Sequence, residues 1–237
     1  MVRYRQTIVG AGWALLQPLL LMVVFTVFFG LLGRLPSAGL PYPVFFFLGL
    51  MPWHMVSKIL NEGSASVVAN RPLVTRVYFP RSYFPASVAL ASLVDLALSV
   101  VPLVVLLVLF GIVPGVEVIF APLLIVPAWL TALGVAIWLS ALNVRYRDIT
   151  QLLPFFTQVW MFGSPIIYPS TIVPEPYRWV YFLNPIAGVI ESLRHLVAHA
   201  PAPPAYAIPL GLLVAICVLL TGYLYFRHSE PTFADVV

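Results

Sequence analysis

The sequence predicts an all-α polytopic membrane protein, and three observations carry that prediction. Only 8% of the 237 residues are Asp, Glu, Lys or Arg, against about 25% in an ordinary soluble domain. The mean hydropathy is +1.02. Residues 6–33, 35–57, 96–116, 118–144, 149–174 and 195–226 are each free of charge. Each interval can hold the roughly 20 apolar residues that cross about 30 Å of hydrocarbon. A large soluble core would still need a polar shell, and the composition supplies none.

The whole chain, 1–237, reads as one transmembrane domain of six helices, at about 12–33, 42–60, 86–110, 119–142, 152–170 and 206–226. The first run, from Trp13 to Gly33, has full spanning length and leads into further spans, so it is a retained helix, not a cleaved signal. Gly33 with Pro36, Gly111 with Pro114, and the run Pro201, Pro203, Pro204 punctuate the connections. Pro18, Pro52, Pro102, Pro127, Pro154 and Pro165 fall inside spans, where neighbouring groups can satisfy the freed carbonyl.

Two connections are longer than topology requires. NEGSASVVANRPLVTRVYFPRSYFP, 61–85, has Ser/Asn cap candidates, an apolar stripe and spaced arginines, which predicts a short helix along the membrane surface and then an irregular arm. In 171–205, VPEPYRWVYFL precedes NPIAGVIESLRHLVAHA. Asn184 as N-cap, Pro185 at the first helical position and Glu191/Arg194 three apart predict a helix there. Together the pieces read as two short helices dipping into the outer leaflet. No internal repeat is present, so the inverted-repeat signature of many secondary transporters is missing.

Six spans place both termini on one face. That face holds Arg3, Arg5, Lys58, Arg71, Arg76, Arg81, Arg145, Arg147 and Arg227, against Arg34, Arg178 and Arg194 opposite. The bias predicts that both termini are cytoplasmic. Arg-Tyr-Arg occurs twice, at 3–5 and 145–147, both times on the basic face. As topology signals and headgroup anchors these clusters need no further role.

Catalytic chemistry is hard to place. His195 and His199 lack a third metal ligand, the glutamates are scattered, and no phosphate-cradling Gly-Lys-Ser/Thr loop exists to bind ATP. Cys217 is the only cysteine, which excludes an intramolecular disulfide, and no basic face suits nucleic acid. Asp95 lies about ten residues into the third span, where a lone carboxylate costs about 2.5–3.5 kcal/mol. It reads as a functional group or as a protonated or hydrogen-bonded packing residue. Trp13, Phe45, Phe46, Trp53, Phe156, Trp160 and Tyr168 concentrate in the first, second and fifth spans. They are either belt and packing aromatics or flat apolar platforms for sugar rings.

RYRQTIVGAGWALLQPLL at 3–20, NVRYRD at 143–148, FTQVWMFGSPIIYP at 156–169 and FLNPIAGVIESLRH at 182–195 resemble the permease subunits of polysaccharide-exporting ABC transporters, the type-2 exporters of O-antigen and teichoic acid. The resemblance covers nearly the whole chain, in order. It implies a homodimer with two copies of a separate ATPase that binds ATP and magnesium, so this chain needs no cofactor of its own. It implies that 61–72 is the coupling helix, with Glu62, Ser64, Asn70 and Arg71 as contacts. The pair 174–183 and 184–197, carrying Tyr177, Trp179, Asn184, Glu191 and Arg194, would be external re-entrant helices. Arg3, Arg5, Arg145 and Arg147 would surround the entrance for a polyprenyl-pyrophosphate-linked glycan. Family members usually carry an amphipathic interface helix ahead of the RYRQT stretch, where only two residues precede Arg3 here.

The expected function is therefore export of lipid-linked polysaccharide across the cytoplasmic (inner) membrane. The alternatives are a drug or small-lipid exporter of the same superfamily, a proton-coupled transporter using Asp95, or a membrane-embedded transferase, for which no paired carboxylate or metal cluster is available.

Overall fold

The computed structural model describes residues 12–76 and 79–233, and among them it is helical with no strand. Helix α1, Gly12–Phe25, passes into π-helical turns at Thr26–Leu32, whose widened ladder ends with the amide of Gly33 on the Phe28 carbonyl. Next come α2 (Tyr42–Ala69), α3 (Arg71–Arg76), α4 (Tyr83–Leu109) and α5 (Ala121–Arg145). The remaining helices are α6 (Ile149–Phe162), α7 (Glu175–Tyr181), α8 (Pro185–Ala198) and α9 (Ala207–Ser229).

Four helical stretches are long and apolar enough to cross a membrane: α2, α4, α5 with the turn before it, and α9. The apolar stretch Leu16–Leu32 falls just short. The predicted span 152–170 differs most. Its helix, α6, starts earlier and ends at Phe162, so its 14 residues reach only about 21 Å. Gly163 and then Pro165 and Pro169 stop it.

The predicted surface helix 61–72 is likewise replaced. Helix α2 runs on without interruption to Ala69, giving 28 residues and about 42 Å. Nothing between Leu60 and Ala69 breaks it, and its weakest helix former, Gly63, lies where a Cβ would come within 3.0 Å of the Ala136 methyl. Asn70 stops the helix instead, its Nδ2 donating to the Ser66 carbonyl at 2.8 Å. Only Arg71–Arg76 forms a separate short helix.

Helix α2 occupies the centre, packed on α4, α5 and α8, and is buried along most of its length. Helices α5 and α9 cross closely through small residues. A Cβ on Gly134 would lie 2.7 Å from Leu219 backbone, and one on Gly222 would lie 2.4 Å from the Gly134 carbonyl oxygen. This close approach is how helices associate in lipid, where apolar burial gives no preference for protein over acyl chain. The outer faces are apolar too: Leu90, Val94, Leu98, Val101, Val105 and Val108 of α4 are all exposed. An exposed apolar stripe of that size marks a surface that meets lipid or another protein.

Candidate coupling and translocation site

At the basic end of the helices, one polar residue joins three elements. Asn143, buried near the end of α5, donates from Nδ2 to the Ser64 carbonyl of α2 at 3.1 Å and accepts at Oδ1 from Thr150 Oγ1 of α6 at 2.9 Å. Ser64 is therefore buried against α5, with its hydroxyl donating to the Asn61 carbonyl, and it offers no docking surface. Glu62 is half-buried, Asn70 is used as the α2 stop, and Arg71 is exposed at the start of α3. Arg145, the last residue of α5, and Arg147, just beyond it, are exposed, the Arg145 guanidinium lying 5.6 Å from the Tyr146 ring centre. Arg3 and Arg5, and the side chain of Trp13, lie outside the described residues.

The opposite end of α2 holds the most heavily bonded charge among the described residues. Arg194 of α8 is 0% exposed. Its Nε and Nη2 donate to the Phe45 carbonyl at 3.1 and 3.0 Å, and Nη2 also reaches the Ile166 carbonyl at 3.0 Å. Its Nη1 donates to Glu191 Oε1 at 3.3 Å, and the guanidinium stacks 3.4 Å from the Phe45 ring centre. Glu191, 5% exposed, accepts in turn from the Ser170 amide at 2.9 Å. Burial pushes the Arg194 pKa down and the Glu191 carboxylate opposes it, leaving it at about 10 and the guanidinium charged at neutral pH.

Gly49 makes this arrangement possible, since a Cβ there would sit 2.9 Å from Nη2 and 3.1 Å from the Ile166 Cα. The lock thus ties α8 and the turn after α6 to the start of α2. Helix α8 is consequently buried along most of its length. Its Ile, Val and Leu face the core and its charged pair is buried with them.

Asn184 begins α8, accepting from the Ile186 amide at 3.2 Å and from Trp160 Nε1 at 3.3 Å while donating to Ser164 Oγ at 2.9 Å. Tyr177 and Trp179 of α7 are exposed.

The aromatic residues separate into two groups. Phe45 and Phe46 are fully enclosed, Phe46 stacking on Phe25 at 4.7 Å, and Trp53 is buried edge-on against Trp160 at 6.2 Å. These side chains fill the core and present no face to a passing sugar. Phe156, beside Phe155 on α6, is exposed and Tyr168 half-buried, its hydroxyl donating to the Phe162 carbonyl at 2.8 Å. Asp95 is paired with Lys58 of α2, at 49% and 27% side-chain exposure. The neighbouring helix supplies the counter-charge that a carboxylate in a span requires. The pair borders a cavity of about 160 Å³ between α1, α2 and α4, with Gln17, His54 and Ser99 on its walls. His195 and His199 bond to the Ala200 and Val113 carbonyls, and no metal-binding cluster occurs among the described residues.

Sequence reasoning missed Asn143, Gly49 and the carbonyls of Phe45 and Ile166. The first two are a lone amide and a lone glycine in apolar runs. The carbonyls leave no trace in side-chain chemistry.

A bundle of long apolar helices defines a multi-pass membrane protein, and residues 1–198 match the ABC-2 type transporter family, to which the chain belongs. It is similar to an O-antigen export system permease protein RfbA of Myxococcus xanthus, 31% identical over 99% of this chain and 90% of the relative. A protein of the same name from Klebsiella pneumoniae is 27% identical over 100% and 90%. The polysialic acid transport protein KpsM of Escherichia coli is 24% identical over 96% and 89%.

Proposed function

We propose that this chain is the transmembrane subunit of an ATP-driven exporter of lipid-linked polysaccharide. It works as a homodimer with two copies of a separate ATPase, which supplies ATP and magnesium, in the cytoplasmic (inner) membrane. Both termini are cytoplasmic. Six crossings arise if α1 with its π-helical turns makes the first and α6 with the turn to Ser170 the fifth, leaving α7 and α8 as the external re-entrant pair. The relatives' names support the substrate class. The physical observation that carries the reading is the continuity of α2. One unbroken helix joins Glu62, in the segment offered to the ATPase, to the Arg194 lock that holds α8 and the turn after α6, and Arg71 follows Asn70 at the start of α3. A displacement imposed by the ATPase is thereby delivered to the far side of the membrane.

Arg145 and Arg147 face outward at headgroup depth and suit the pyrophosphate of the carrier lipid, since guanidinium groups form forked contacts with phosphate. Phe156 and its exposed neighbours on α6 are the aromatic surface left for a glycan or a second subunit. The ion pair with Lys58 accounts for Asp95 without proton coupling.

The test is charge reversal of Glu62 and Arg71 in the complex with its ATPase, reconstituted in vesicles. ATP hydrolysis should continue while movement of lipid-linked glycan falls, with insertion unchanged. Transport that stays fully coupled in this variant removes the assignment of that segment to the ATPase.

A further inference from the structure

The geometry points to a binding site for the phosphodiester headgroup of an anionic membrane lipid, in the pocket between the start of α4 and the end of α9. This cavity of about 580 Å³ is lined by the stretch Phe79 to Ser82, by Tyr223, Phe226 and Arg227 of α9, and by Glu230 and Pro231 just after it. It rests on α4 and α9 lying in a membrane and not on what the chain transports.

The pocket is built rather than accidental. Arg81 and Glu230 clasp its two sides: the Arg81 amide donates to Glu230 Oε1 at 2.9 Å, and Arg81 Nη1 donates to the Glu230 carbonyl at 2.5 Å. The Arg81 guanidinium lies 5.8 Å from the Phe233 ring centre, and Phe233 packs edge-on against Phe226 at 5.2 Å. Glu230 is thereby committed to the clasp. The Arg227 side chain, on the same rim, makes no hydrogen bond or ion pair with any described residue. Among the described residues that line it, two guanidinium groups against one carboxylate give the pocket a net positive charge.

Depth and walls select the ligand. Arg227 lies in the last turn of α9, directly below the exposed Leu220 and Leu224, and Ser82 precedes α4, whose exposed Leu90 and Val94 follow. The lipid-facing apolar surface therefore ends where the cations begin, at the level of phospholipid phosphates. Phe79, Pro80 and Phe226 give the pocket apolar walls, which suit the glycerol and upper acyl carbons of a lipid and offer nothing to inorganic phosphate. Charge excludes zwitterionic lipids as preferred occupants, because their own ammonium group would compete for the phosphate.

The experiment uses the full-length chain in detergent, with bound lipid counted by native mass spectrometry. Phosphatidylglycerol is titrated against phosphatidylcholine of the same acyl chains, with and without inorganic phosphate. We expect saturable phosphatidylglycerol binding that phosphatidylcholine does not match and inorganic phosphate does not displace. Arg227→Gln should weaken it by roughly tenfold, as loss of one charge-assisted contact does. Arg227→Lys should retain part of the affinity, and Arg178→Gln, a basic residue elsewhere on the chain, should retain all of it. Arg227 is exposed, so these variants fold, which an unchanged helical spectrum verifies. Equal binding of the two lipids overturns the site, as does wild-type affinity in Arg227→Gln. Displacement by inorganic phosphate overturns the assignment to a lipid.

Discussion

Replacing Arg194 with Met keeps a long flexible side chain and removes every bond of the lock. Four donated hydrogen bonds disappear, two to the Phe45 carbonyl, one to that of Ile166 and one to Glu191. Glu191 is then a buried carboxylate without its cation. Removing one partner of a buried pair costs about 3–5 kcal/mol, against a total stability of about 5–15 kcal/mol for a typical domain. The single variant should therefore approach the edge of folding. Adding Glu191→Leu removes the stranded charge and leaves the Ser170 amide without its acceptor, a penalty of about 1–3 kcal/mol. The double variant should thus recover about 2 kcal/mol relative to the single one. Unfolding by a denaturing detergent, followed through the fluorescence of the nearby Trp53 and Trp160, measures both. If Arg194→Met unfolds at the wild-type midpoint, or the double variant is no better than the single, the account of this lock as a charge-compensated structural tie is wrong.

Two further expectations concern the basic end. Asn143→Leu should lower stability by about 1–3 kcal/mol, because the Ser64 carbonyl and the Thr150 hydroxyl both lose their partner, and the same unfolding assay reads it. Changing Arg145 and Arg147 to Gln should raise by roughly tenfold to a hundredfold the lipid-linked substrate concentration that stimulates ATPase activity, with Lys at both sites rescuing only in part. An unchanged stimulation curve, at equal protein level, would leave these arginines as topology signals.

Most of the helical architecture was legible in the sequence because charge-free length leaves few other folds open. Helices α4, α5 and α9 fall close to their predicted spans, and the Asn184-Pro185 start of α8 was visible in its capping chemistry. What the sequence left open about burial has one physical source. Hydropathy reports whether a segment avoids water and says nothing of whether it meets lipid or protein. Phe45, Phe46 and Trp53 therefore read either as packing residues or as platforms and are core, and the Glu191/Arg194 pair gave no sign that it is buried inside the protein. The end of α2 was misplaced for a different reason: polarity marks where a helix leaves the membrane, not where it stops being a helix. Lys58 and Asp95 illustrate the same limit, since 37 residues separate two charges that only the packing of α2 on α4 brings together.

The Arg194 lock also sets an order of assembly. Its guanidinium meets the Phe45 carbonyl across 149 residues of chain. At about 5–20 residues per second, synthesis takes roughly 7–30 s to cover that interval. Throughout this time α2 is already emerging while the helix that must settle against it does not yet exist. The nascent protein therefore waits with an unfilled notch at Gly49, and biogenesis finishes only when a late segment returns to an early one. Losing the end of the chain beyond α7 would leave that early half permanently incomplete.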